Sequence, residues 1–292
     1  MHGTVDGFNY GIVTPLVAYL MACLGGALGL RCTARSLRVA QSWRPGWLAL
    51  GAAAIGSGIW TMHFIAMMGF AIEGTPIRYD TAITFASLAV AIVMVGIGIF
   101  IVGYRGAQGA ALFTGGTITG LGIASMHYLG MASMRFDGEL RYNTFTVAVS
   151  VVIAMVAATA ALWSAGQVRG LRWSLGASLV MGLAVSGMHY MGMAALEVHV
   201  HGTAEPSSGE SPAALLAPML IGPLAFLLLA GAVVLFDPLM LGGQPAWVPA
   251  ERKPGVPART AVRHVPHHPA HHPPLRTRRT VVHRRSRTPQ SR

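Results

Sequence analysis

The chain has 292 residues, of which 53% are hydrophobic and only 11% are charged, and its mean hydropathy is +0.54. This composition exceeds what a water-soluble domain needs to fill its core, so it excludes an ordinary soluble enzyme or binding module and indicates an integral membrane protein. Nearly all of the formal net charge of +11 lies in the last part of the chain, after residue 240.

Seven stretches are long enough and apolar enough to cross a bilayer, since about 20 helical residues at about 1.5 Å each span its hydrocarbon core. They lie near residues 10–29, 46–70, 82–103, 109–134, 144–165, 174–196 and 215–236. The sequence therefore predicts an all-α membrane protein with seven transmembrane helices in one domain, residues 8–240. The connections are too short to hold a soluble domain.

Arginine placement predicts the orientation, because cytoplasmic loops retain an excess of Lys and Arg. Basic residues follow the first, third and fifth helices: Arg31, Arg35, Arg38, Arg44, Arg105, Arg169 and Arg172. The opposite loops contain only Arg78, Arg135 and Arg141, together with most of the acidic residues. We expect the N-terminus outside and the C-terminus in the cytoplasm.

Residues 241–292 differ in composition from the rest of the chain. They contain eleven of the 21 Lys and Arg residues, one acidic residue (Glu251) and many prolines. Such a segment cannot bury enough apolar surface to fold alone, so we expect a disordered basic tail. Its charge would attract anionic membrane lipid. No folded motif or interleaved aromatic residues favour nucleic acid as a partner.

A Met-His-aromatic sequence occurs three times, and each time a second methionine follows the histidine by four positions. The copies are Met62-His63-Phe64 with Met67, Met126-His127-Tyr128 with Met131, and Met188-His189-Tyr190 with Met193. By subtraction, the histidines are separated by 64 and then 62 positions. This near-equal spacing predicts one site assembled from three copies.

Small residues surround each histidine at constant offsets. Glycine stands seven positions before it (Gly56, Gly120, Gly182), and small residues stand five before (Gly58, Gly122, Ala184) and three after (Ala66, Gly130, Gly192). Small residues let membrane helices approach closely, so helices two, four and six are predicted to pack around one axis. Each repeat is then a motif helix with its follower, used three times. Helix seven, interrupted by Pro218 and Pro223, is added at the end.

The histidines are predicted to lie about 10–15 Å below the outer surface, counting about 1.5 Å per residue. An ionisable side chain at such depth is costly and is therefore a functional candidate. Residues four apart share a helix face, so each histidine pairs with the methionine after it, and the methionine directly before it is turned about 100° away. The candidate metal residues are Met62, His63, Met67, Met126, His127, Met131, Met188, His189 and Met193.

Imidazole and thioether donors together favour copper, especially Cu(I). Carboxylates are absent at this level of the helices, which argues against calcium, magnesium and di-iron sites. In the alternative interpretation, the histidines form hydrogen bonds in a polar seam and the methionines fill gaps in the packing. Three histidines in register with paired methionines favour the metal site.

The segments Ile59 to Met67, Ile123 to Met131 and Ser186 to Met193 resemble the three motifs of the MHYT domain, a bacterial membrane sensor module. The resemblance covers residues 8–240. It implies a sensor in the bacterial cytoplasmic membrane that binds copper through the motif residues and detects oxygen, carbon monoxide or nitric oxide. The chain departs from the motif where Ile65, Leu129 and Met191 replace threonine and Phe64 replaces tyrosine. Neither of the replaced residues is needed as a soft donor.

Many members of this family continue into GGDEF and EAL domains that make or degrade cyclic di-GMP, or into a kinase. Fewer than sixty residues follow helix seven here. We therefore expect no catalytic output domain and no enzymatic activity. A signal would pass through the tail or through helix movement to a separate cytoplasmic partner.

Two alternatives remain open from the sequence. The first is a copper-handling or redox membrane protein in which His199 and His201, on one face of an extended segment, deliver the metal. The second is a haem protein in which two motif histidines are axial ligands.

Overall fold

The computed structural model describes residues 5–6, 11–72, 76–167, 171–200 and 212–237, all within one compact unit. These residues form seven helices, each long and apolar enough to cross a membrane, as the hydropathy pattern predicts. The helices are α1 (Val13–Ser36), α2 (Arg44–Met68), α3 (Thr81–Arg105), α4 (Gly109–Ala132), α5 (Thr144–Gln167), α6 (Leu171–Ala194) and α7 (Pro212–Leu235). The predicted tail, residues 241–292, lies outside the described residues, and so does its boundary with the helical domain.

The first six helices form a closed ring. Each one packs against its neighbours in chain order, and α6 returns to pack against α1. Across the ring, the motif helices α2, α4 and α6 also contact one another, and so do α1, α3 and α5. Helix α7 packs outside the ring against α1 and α2, which makes it the terminal addition that the sequence predicts. Because α7 covers its outer side, α2 is the most buried of the seven helices.

Small residues bring the motif helices close to the outer helices, α1, α3 and α5. A Cβ added to Gly58 of α2 would lie only 2.6 Å from the Cα of Gly25 in α1. The glycines seven positions before the histidines likewise face an outer helix, so their tight packing is not directed at the other motif helices. The contacts are Gly56 with Ile92, Gly120 with Met155, and Gly182 with Cys23.

Short strands pair at the end of the ring where the motif helices end. They are β1 (Val5–Asp6), β2 (Ala71–Ile72), β3 (Arg78–Tyr79), β4 (Met134–Arg135), β5 (Gly138–Tyr142) and β6 (Leu196–Val200). The antiparallel pairs are β1 with β2, β3 with β4, and β5 with β6. Each pair joins the segment before an outer helix to the segment after the next motif helix.

This pairing sets the spatial repeat. In space, the unit is an outer helix with the motif helix that follows it: α1 with α2, α3 with α4, and α5 with α6. The sequence pattern groups each motif helix with its follower, such as α2 with α3, and these helices pack against each other as well. In the closed ring the two ways of grouping the helices are equivalent, because α1 packs against α6 as α3 packs against α2.

Helix α1 continues to Ser36, beyond its predicted end near residue 29. A buried ion pair explains how an arginine fits into the extended part. Arg35 donates through Nε to Oδ2 of Asp237, just after α7, at 2.5 Å. Its guanidinium also lies 5.4 Å from the ring centroid of Trp47 in α2. The charge is thus neutralised, and this contact fastens the end of α7 to α1 and α2.

Candidate metal centre

The three motif helices bring their histidines together at the centre of the ring. His63, His127 and His189 are each only 1% exposed. Each stands five residues before the end of its helix, at Met68, Ala132 and Ala194. At about 1.5 Å per residue this is about 7.5 Å from the helix end. The depth below the outer membrane surface stays a prediction. The last residues of each predicted span belong to turns and strands instead.

The three Nδ1 atoms form a nearly equilateral triangle. Its edges are 3.1 Å (His63 to His189), 3.2 Å (His63 to His127) and 3.3 Å (His127 to His189). The rings are nearly perpendicular to one another, with interplanar angles of 81–89°. The centre of such a triangle is about 1.85 Å from each nitrogen, close to a metal–imidazole bond of about 2.0–2.1 Å.

Hydrogen bonding among the imidazoles alone cannot satisfy this triangle. Each Nδ1 has either a proton or a free lone pair, so at least two of the three must be alike. At least one edge then joins two donors or two acceptors at hydrogen-bond distance, and these repel each other. A shared cation resolves the conflict, because all three lone pairs then point at one positive charge. The chemistry of this donor set therefore fits a bound metal ion.

The other ring nitrogens explain two of the small residues that stand three positions after the histidines, Gly130 and Gly192. A Cβ added to Gly130 would lie 2.3 Å from Nε2 of His63, and one added to Gly192 would lie 2.3 Å from Nε2 of His127. The imidazoles of His63 and His127 therefore each rest on a glycine of the next motif helix. Both Nε2 atoms are buried and have no hydrogen-bond partner among the described residues. From the sequence, these glycines indicated helix packing alone, since a contact between repeats leaves no signal in a single helix.

The aromatic residue after each histidine packs edge-on against that histidine's ring. The centroid distances are 4.7 Å for Phe64, 4.9 Å for Tyr128 and 5.0 Å for Tyr190. The Tyr128 hydroxyl also shares a hydrogen bond of 2.7 Å with the Ser150 hydroxyl of α5. Phe64 keeps the ring contact without a hydroxyl, so the missing tyrosine of the first motif leaves the packing intact.

The motif methionines belong to the same core. Five of them are at most 1% exposed, and Met193 is partly buried against the core. The five are Met62, Met67, Met126, Met131 and Met188.

Of the predicted metal residues, the structure brings the three histidines together as possible ligands. Direct ligation by the methionine sulfurs stays a prediction.

His199, predicted as a metal entry point, lies in β6 opposite Glu139 of β5. His201 lies outside the described residues. Haem does not fit the triad, because two axial nitrogens on opposite sides of an iron would lie about 4 Å apart, at a metal–nitrogen distance of about 2 Å. The observed separations of 3.1–3.3 Å are shorter and leave no room for a porphyrin between the rings.

Comparison with known protein families agrees with the repeat. The MHYT family model, described as a bacterial signalling protein N terminal repeat, matches residues 56–115, 120–178 and 182–235. Each match begins in a motif helix and includes its histidine. The third match extends across α7, although α1 fills the corresponding place in the ring.

Curated relatives are signalling proteins. The chain is 38% identical over 191 residues to the bifunctional diguanylate cyclase/cyclic di-GMP phosphodiesterase MucR of Pseudomonas aeruginosa, covering 64% of this chain and 27% of MucR. It is 36% identical over 210 residues to the cyclic di-GMP phosphodiesterase NbdA of the same organism, covering 67% and 26%. The signaling protein YkoW of Bacillus subtilis is 28% identical over 199 residues, covering 65% and 24%.

The chain thus spans about a quarter of the length of these relatives. Their enzymatic activities are properties of those longer proteins, and the shared part is the repeat region. No solved structure matches the chain.

Proposed function

Because the chain belongs to the MHYT family of bacterial signalling proteins, we propose that it is a sensor in the bacterial cytoplasmic membrane whose histidine triad binds copper(I) and responds to a diatomic gas. The observation that supports this most directly is the triangle of Nδ1 atoms. It offers three converging lone pairs in a buried site, at a spacing that suits a metal ion and that neutral imidazoles alone cannot satisfy.

The charge balance of the site favours a monovalent ion. The cluster consists of three imidazoles and includes no carboxylate among the described residues. A buried charge costs solvation free energy that grows with the square of the charge, so Zn²⁺ or Cu²⁺ without a counter-ion would cost about four times as much as Cu⁺. Thioether donors from the motif methionines would add to the preference for Cu(I).

Copper(I) held by three imidazoles would supply an open coordination position and a redox change, the two properties that a sensor of oxygen, carbon monoxide or nitric oxide needs. The protein's part is to hold the imidazoles in place and to exclude water. His63, His127 and His189 are the proposed ligands, and burial at 1% exposure keeps bulk water away from them.

A route from the triad to the cytoplasm is available through α2 and α7. His63 is on α2, α7 packs against α2, and the end of α7 is fastened by the Asp237–Arg35 ion pair. We propose that a shift of α2 moves α7 and the basic segment that follows it in the sequence. On the basis of the arginine distribution we propose that this end lies in the cytoplasm, where a separate signalling partner and anionic lipid would meet the tail.

The test is the metal content of the purified full-length protein after reconstitution with copper(I). His63→Ala, His127→Ala and His189→Ala should each remove most of the metal, because two imidazoles cannot complete the site. His199→Ala is the matched control and should leave the copper content unchanged. A triple histidine variant that keeps the wild-type copper ratio would overturn the proposal.

Sensing is tested separately by deleting residues 245–292. Copper content should be unchanged, whereas the cellular response to the gas should be lost or altered. A normal gas response would exclude the tail as the output. If the deletion has no effect while His199→Ala slows metal loading, the protein handles copper and does not signal.

A further inference from the structure

A cavity of about 30 Å³ lies next to the histidine triad, on the side away from the strands. All six ring helices contribute side chains to its wall, so it lies on the axis of the ring. Its wall includes Ile59, Ile123 and Val185, each of which stands four residues before a triad histidine. Ile55, Thr119 and Met181, which stand eight residues before the histidines, line it as well, so the cavity lies one to two helical turns, about 6–12 Å, from the plane of the triad.

The wall of the cavity is almost entirely apolar. Besides aliphatic side chains and Met181 it includes two hydroxyls, those of Thr33 and Thr119. Thr33 donates to the Gly29 carbonyl oxygen at 2.9 Å, whereas the Thr119 hydroxyl has no partner among the described residues. A buried water needs about two to four polar partners, and the two hydroxyls present almost no polar surface to the cavity. Apolar cavities of this kind stay dry and bind apolar guests.

The volume of the cavity limits the size of its guest. About 10–15 Å³ is enough for one molecule the size of water, and pockets for drug-sized ligands are at least about 300 Å³. A cavity of about 30 Å³ therefore has room for two or three heavy atoms at most. Together with the apolar wall, this volume favours a small apolar molecule as the guest.

The cavity also lies close to the lateral surface of the helix bundle, between α5 and α6. A groove there of about 430 Å³ shares Ala157, Ala161 and Met181 with the wall of the cavity. Half-exposed Trp163 and Trp173 flank the groove. In a membrane-spanning bundle this groove faces lipid, in which apolar gases dissolve better than in water.

From these observations we propose that the axial cavity is a docking site for an apolar diatomic gas, with oxygen as the representative ligand. The docked gas would lie one to two helical turns from the triad. The consequence for sensing rests on the proposed function, but docking itself needs no metal. The two ideas can therefore fail independently.

The test is nuclear magnetic resonance of the metal-free full-length protein in lipid nanodiscs, with ¹³C-labelled isoleucine methyl groups, under oxygen pressure. Oxygen is paramagnetic, and its relaxation effect falls with the sixth power of distance. Ile65 is the internal reference, since it is also buried in α2 but stands six residues, about 9 Å, from Ile59. The effect at Ile59 and Ile123 should exceed that at Ile65 by at least about fivefold, a ratio set by this separation. Equal effects at the three methyl groups would overturn the proposal.

A filling variant gives a second readout. Ala158 lines the cavity but not the groove, so Ala158→Leu should reduce the oxygen effect at Ile59 and Ile123 to the level at Ile65. The same change at exposed Ala148 of α5 is the matched control and should leave the effect intact. Thermal unfolding, measured in parallel, shows whether each variant is folded. A persistent oxygen effect in a folded Ala158→Leu protein would also refute the assignment.

Discussion

Adding one methyl group at Gly130 or Gly192 tests how the repeats hold the triad. In each case the new Cβ would lie 2.3 Å from the Nε2 atom of a triad imidazole. Ordinary contact is at 3.4 Å or more, so the imidazole would have to retreat by about 1 Å. Neither glycine has a positive φ, so the backbone itself accepts alanine. The effect therefore comes from the contact between repeats.

The expected loss can be estimated from the geometry. Metal–ligand distances tolerate changes of about 0.2 Å, so a displacement of about 1 Å removes or weakens one of the three bonds. Disturbing the support of a metal-bound histidine typically costs about 10–100-fold in affinity, which is about 1.4–2.7 kcal/mol. Gly130→Ala and Gly192→Ala should each show a loss of this size. Overpacking should also destabilise the metal-free protein by about 1–3 kcal/mol.

The assay is a competition titration of copper(I) against a chromogenic chelator, together with thermal unfolding of the metal-free protein. Gly187→Ala is the matched control, because this exposed glycine of α6 has no atom within 4 Å of an added Cβ. It should keep full affinity and gain up to about 1 kcal/mol in stability from the better helix former. If Gly130→Ala binds copper(I) as tightly as the wild type, the glycine does not position the imidazole and the reasoning fails.

Three further predictions concern the ligands, the strand end and the orientation. Replacing Met67, Met131 and Met193 together by leucine keeps the apolar volume but removes three thioethers. Parallel titrations should therefore show weaker binding of copper(I) and an unchanged affinity for zinc. Equal changes for both metals would exclude these sulfurs as ligands. The Ile83 N–H and the Arg135 side chain hold the pKa of Asp80 below its usual value. The contribution of this carboxylate to the free energy of unfolding is therefore complete above about pH 4 and is lost as the pH falls through the lower folded-state pKa. Thermal unfolding from about pH 6 to about pH 3 should therefore lower the Tm of the wild type more than that of Asp80→Asn, and parallel curves would contradict this role. A reporter fused after residue 245 should behave as cytoplasmic, and its export would reverse the orientation inferred from the arginines.

The sequence alone determined the membrane class, the seven helices and the three histidines that meet. These features depend on local quantities: apolar length sets the number of spans, and a repeated motif in three parallel helices of equal depth brings like residues to one level. Of the strands, only the extended segment at His199, now part of β6, was expected, since two-residue strands such as Ala71–Ile72 are too short to show a periodic pattern. The repeat of a motif helix with its follower was also predicted, whereas only the closure of the ring shows that α1 packs against α6.

Only the tertiary structure decided how the triad is built. Helical periodicity indicates the face on which His63 lies, but it cannot show that Nδ1 points at the other histidines while Nε2 rests on Gly130 of another helix. That choice depends on contacts between residues more than sixty positions apart. The same is true of the cavity beside Ile59, because empty volume is what remains after six helices have packed. Residue identity and spacing determine which groups reach the axis of the ring, whereas packing between repeats determines their orientation and the space left around them.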